Sequence, residues 1–61
     1  MLPKCKLTGV DGNVYSIIGA VSKALTRAKL PEKAAEFRKA ALSSKSYDDV
    51  LQLCFKYVDV E

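Results

Sequence analysis

The sequence predicts an α+β domain in the order βαααβ, three helices packed on a two-stranded sheet. Apolar residues alternate with charged ones at both ends of the chain and recur at helical spacing through its middle. Turn and capping residues stand where one period gives way to the other. With 61 residues there is room for one domain, spanning 1–61. A chain of this size buries about 60% of the surface its unfolded form exposes, so its core is small.

Lys4 to Val10 reads as the opening strand, with Cys5 and Leu7 on one face and Lys4, Lys6 and Thr8 on the other. Gly9 and then Asp11-Gly12-Asn13 mark a tight turn, because Gly accepts φ > 0 and Asp and Asn bond their own backbone. An Asp-Gly pair can open a hairpin, but the period that follows is helical. Val14, Ile17, Ile18, Val21, Ala24, Leu25 and Ala28 fall within an arc of about 120°, the stripe of an amphipathic helix, with Ser16, Lys23 and Arg27 opposite. Asn13 is placed to cap this helix, which runs to about Ala28.

Leu30-Pro31 divides the first helix from the second. The residue before Pro is pushed out of the α region, and Pro suits the first helical position. Leu30, Ala34, Phe37 and Ala41 make a narrow buried stripe, while Glu32, Glu36 and Lys39 face water. Ser43-Ser44-Lys45 is a short loop and the one plausible hinge. Ser46 to Asp49 fits a capping box, and Asp48 and Asp49 put negative charge where the helix dipole favours it. Val50, Leu51 and Cys54 form the inward face of the third helix, widened by Tyr47, Leu53 and Phe55. So wide an arc predicts a central third helix. Tyr57 to Glu61 returns to alternation as a closing strand. Its Asp59 and Glu61 complement Lys4 and Lys6 of the first strand, at ~0.2–1 kcal/mol per facing pair. The pattern leaves strand direction open, antiparallel pairs being the commoner kind.

Gly9-Val10-Asp11-Gly12-Asn13, the aromatic Tyr15, the helix end Ala24-Leu25-Thr26-Arg27-Ala28, Ser46-Tyr47-Asp48-Asp49-Val50-Leu51 and Tyr57-Val58-Asp59-Val60-Glu61 together resemble a family of small uncharacterised bacterial proteins. The resemblance spans nearly the whole chain. Such proteins often lie near phage, plasmid or conjugative-element genes, so it implies a bacterial accessory protein of a mobile element, and it carries no biochemical activity. The chain departs from the family at two turns. Lys29 stands where members commonly place Gly after the first helix, and Lys45-Ser46 where they often have Gly before the Tyr-Asp pair. The shared residues are caps, turns and core, which bear on fold.

The chemistry the chain lacks narrows its function. It has no histidine, the commonest general base and the commonest zinc ligand. Its two cysteines cannot close a four-ligand site. The Gly9–Asn13 turn is too poor in glycine for a phosphate loop and its Asp11 would repel the ligand, while the acids that complete a calcium loop are missing. Asp48 and Asp49 point about 100° apart on a helix, and no base activates Ser43, Ser44 or Ser46. No enzyme, cofactor or metal is expected. Cys5 and Cys54 are expected as reduced, buried thiols of a cytoplasmic protein. Met1 to Lys6 contains no apolar run, so no signal peptide is expected, and the longest apolar run, Ile17 to Val21, is far short of the ~20 residues of a membrane span.

Hydrophobic content of 49% fits a globular domain, and the net charge is +3. The charge is unevenly spread. Residues 22–45 carry Lys23, Arg27, Lys29, Lys33, Arg38, Lys39 and Lys45 against Glu32 and Glu36, a local excess of five, whereas residues 46–61 have a deficit of three. Such asymmetry points to an anionic partner or to a solvated face. The candidate nucleic-acid contacts are Lys23, Arg27, Lys29 and Lys33. The candidate anchors for a protein partner are Tyr15, at the edge of the first helix's stripe, and Phe55, off the centre of the third helix's face. The expected role is a non-catalytic protein-interaction module engaging a protein partner or a second copy. The alternative is an accessory nucleic-acid-binding protein using the basic surface of residues 23–45.

Overall fold

A computed structural model describes residues 2–7 and 13–61. Its elements follow the expected order: β1 (Lys4–Cys5), α1 (Val14–Arg27), α2 (Pro31–Leu42), α3 (Tyr47–Tyr57) and β2 (Asp59–Val60). The Gly9–Gly12 turn and the Thr8–Val10 end of the expected first strand lie outside the described residues.

Each helix begins and ends where its local chemistry dictates. Asn13 has extended backbone angles, and its side-chain oxygen accepts the Tyr15 N–H at 2.8 Å, capping α1. At the other end the Leu30 N–H reaches the Leu25 carbonyl at 2.9 Å and the Lys29 N–H reaches that of Thr26 at 3.0 Å, a Schellman closure. Lys29 therefore sits in the left-handed region at φ 64°. Ala28, expected on the buried stripe, is the exposed C-cap instead.

Pro31 opens α2 as expected, but Leu30 does not belong to its stripe. Leu30 is the N-cap residue and is 38% exposed, because its backbone has already left the helix and its side chain no longer follows Ala34, Phe37 and Ala41. The Ser43 and Ser44 hydroxyls donate to the carbonyls of Lys39 and Ala40, each at 3.1 Å, and close α2. Ser46 Oγ accepts the Asp49 N–H at 3.1 Å and starts α3.

The sheet is parallel, with Lys4 opposite Asp59 and Cys5 opposite Val60. Three helices separate the strands, each returning along the one before, so the last strand arrives in the direction of the first. The closing strand is shorter than its alternation suggests, since Tyr57 still belongs to α3. Lys4 Nζ lies 3.7 Å from a Glu61 carboxylate oxygen, so the expected cross-strand charge pairing is present.

The core gathers on α1, which supplies buried Ile17, Ile18, Val21, Ser22 and Leu25, whereas α3 supplies only Val50 and Cys54. The central helix is therefore α1. Tyr47 and Phe55, which widened the arc of α3, are exposed because α3 buries a single stripe. Phe37 of α2 is fully buried and meets Tyr57 edge to face, ring centroids 5.4 Å apart. The Ser22 hydroxyl is buried without a hydrogen-bond partner among the described residues. Cys5 and Cys54 are free and buried, and desolvation raises both thiol pKa values. No helix among the described residues is long and apolar enough to cross a membrane.

Candidate interaction surface

Two N-caps place two tyrosines at one end of the helical layer. Asn13 fixes the start of α1 and so puts Tyr15 in its first turn; Ser46 fixes the start of α3 and so puts Tyr47 at its first position. α2 ends at the same pole with Leu42, where the serine hydroxyls stop it. These three side chains line one cleft of about 420 Å³. Tyr15 is 69% exposed, Leu42 65% and Tyr47 46%, over a floor of buried Ile18, Ala41 and Val50. Ser44, Lys45 and Ser46 supply a polar border. An apolar, aromatic centre within a polar rim is the usual anatomy of a protein interface.

Of the two anchors expected from the sequence, Tyr15 belongs to this cleft and Phe55 does not. Phe55, also exposed, lines a separate shallow surface with Leu2 and Val60 beside β2. Sequence reasoning assigned Tyr47 to the inward face and gave Leu42 no role. A legible signal was available: each of two capping residues, Asn13 and Ser46, is followed within two positions by a tyrosine.

The four basic candidates do not share one cleft. Lys23 and Arg27, four residues apart on α1, line a cleft with Lys4 and Lys6 of the β1 segment. Lys29 and Lys33 line another at the start of α2, where the Lys33 ammonium lies 3.5 Å from the Glu36 carboxylate. All four side chains are exposed. The largest of the described clefts, about 470 Å³, lies between Leu25, Leu30, Leu53 and Tyr57. Its volume is in the range of small-ligand sites, but among the described residues its polar side chains are only two exposed lysines, Lys33 and Lys56, and Tyr57.

Among the described residues no group of three or more His, Cys, Asp or Glu is placed to hold a metal ion. Asp48 and Asp49 are both exposed in the first turn of α3, where the helix N-terminus accounts for them. No family model matches the chain, and no curated protein or solved structure is significantly similar to it.

Proposed function

We propose that the chain is a non-catalytic, cytoplasmic protein-interaction module that docks a partner protein through the Tyr15–Leu42–Tyr47 cleft. The convergence of three exposed large apolar side chains on one cleft carries this reading. Tyrosine offers a large, rigid contact area at low entropic cost and is enriched where binding energy concentrates. The cytoplasmic assignment is supported by two free thiols, which suit a reducing compartment.

The test compares the wild-type protein with a Tyr15→Ser/Tyr47→Ser double variant. Crosslinking in extract of the native host, read by mass spectrometry, identifies the partner. The affinity of the purified pair is then measured at moderate and at high salt, and sedimentation equilibrium tests the protein for self-association. Both tyrosines are exposed, so the variant should fold normally. Loss of an anchoring pair should weaken binding by at least about 30-fold, the equivalent of ~2 kcal/mol. Apolar docking should persist at about 0.5 M salt. Binding that vanishes with salt and ignores the tyrosines would replace this reading with an electrostatic one, nucleic acid included.

A further inference from the structure

We propose that the open edge of β1, in the cleft between β1 and α1, docks an extended acidic segment of a partner protein as a third strand of the sheet. This extends the interaction-module reading to a second surface and does not depend on the Tyr15 cleft. Pro3, Cys5 and Leu7 turn their backbone groups towards the β2 segment: Asp59 N–H donates to Pro3 at 2.8 Å, Glu61 N–H to Cys5 at 2.9 Å, and Leu7 N–H to Glu61 at 3.3 Å. Successive residues of a strand direct these groups to opposite edges. The N–H and C=O of Lys4 and Lys6 therefore face away from β2, and no described residue pairs with them there. Such an edge is a template for another chain.

What faces that edge is suited to a strand. The α1 residues Ala20, Lys23, Ala24 and Arg27 complete a cleft of about 300 Å³ with Lys4, Cys5 and Lys6. Ala20 and Ala24 present only methyl groups, which leaves room for a backbone between helix and strand. Four cations, Lys4, Lys6, Lys23 and Arg27, surround the cleft, and no carboxylate among the described residues lines it. No ion pair among the described residues engages Lys23 or Arg27.

The occupied edge of β1 already shows the chemistry. There β2 brings Asp59 opposite Lys4 and a Glu61 carboxylate within 3.7 Å of the Lys4 ammonium. A strand added on the other side would gain main-chain hydrogen bonds for affinity and carboxylate–cation contacts for selection. A nucleic acid could use the cations but offers no backbone N–H and C=O in strand register, so an acidic peptide is the favoured occupant.

The experiment titrates the isotope-labelled chain, at about 0.15 M salt, with a blocked hexapeptide alternating glutamate and valine. Its controls are a lysine–valine counterpart, an N-methylated glutamate–valine peptide that cannot donate, and an oligothymidylate. The glutamate–valine peptide is expected to shift the Lys4 and Lys6 amides and to slow their exchange with solvent. The lysine–valine and N-methylated peptides should bind at least about tenfold more weakly. A Lys23→Glu/Arg27→Glu variant, both sites being exposed, should keep its circular dichroism and lose about tenfold or more in affinity. The Tyr15→Ser/Tyr47→Ser variant should bind the peptide as wild type does.

Equal binding of the N-methylated peptide, or tighter binding of the oligothymidylate, would show an anion surface without strand addition and overturn the proposal. Self-association abolished by the charge reversal would give the edge to a second copy and overturn it equally. So would absence of glutamate–valine binding up to about 5 mM peptide, a result that leaves docking at the tyrosine cleft untouched.

Discussion

Lys29 adopts φ 64° because the Schellman closure of α1 needs a left-handed residue between Ala28 and Leu30. A side chain there crowds the following carbonyl at a cost of ~1–2 kcal/mol, which glycine avoids. Glycine loses in turn ~0.5–1 kcal/mol of extra chain entropy. Lys29→Gly should therefore stabilise the protein by about 0.5–1 kcal/mol in urea unfolding. A destabilised variant would show that the lysine side chain makes compensating contacts. The position was legible in the sequence only as a departure from a glycine-bearing turn, since nothing in Ala28-Lys29-Leu30 itself demands φ > 0. Asn13, Pro31 and Ser46 were legible outright, because caps act on the next two or three residues and need no tertiary partner. Leu30 was misread because helical period alone cannot separate a capping residue from the first residue of a stripe.

Among the elements, the two short strands depend on what packs beneath them, and that packing joins Cys5 of β1 to Cys54 of α3 in one core. Burial raises both thiols above their ordinary value of 9.0, and at Cys54 a charge on Cys5 would add to the effect. A buried thiol keeps its proton to higher pH than the same thiol in the unfolded chain. Its contribution is therefore whole below pH 9.0 and is lost as pH climbs through the raised folded value. Stability should fall as pH rises above 9.0, with a slope of up to ~1.4 kcal/mol per pH unit for each thiol. A Cys5→Ala/Cys54→Ala variant, less stable at neutral pH, should lose that slope; urea titrations at successive pH values measure it, and an unchanged slope would assign it to other groups. Helix positions were readable from period and caps. Strand direction and the central helix were not, because both follow from how α1, α2 and α3 stack. The apolar arc of α3 says how much surface could be buried, not how much its neighbours cover.

At the scale of the whole molecule the backbone extends 27 × 24 × 16 Å with a radius of gyration of 10.2 Å. The backbone is only 16 Å deep in its short dimension, so few side chains are far from water. That geometry explains what the sequence showed of the candidate surface. Tyr15 stood out at the edge of a strong stripe, whereas Leu42 and Tyr47 meet it only once three helix ends reach the same pole. Phe37 holds these helices together: it is fully buried on α2 and its ring packs against Tyr57 of α3, in one core cluster with Val21 and Leu25 of α1. Truncating a buried Phe to Ala costs ~3–5 kcal/mol, and a domain of this length has ~3–5 kcal/mol in all. Phe37→Ala should therefore abolish the cooperative urea transition and collapse the dispersion of the amide spectrum. Phe37→Leu, which keeps most of the volume, should cost less and stay folded. The pair also separates core from surface, since Tyr15→Ser should leave stability within about 0.5 kcal/mol of wild type. A cooperative, well-dispersed Phe37→Ala protein would mean that the α1–α2–α3 contact survives without its ring, and that the pole bearing Tyr15, Leu42 and Tyr47 is held by the caps and short connections instead.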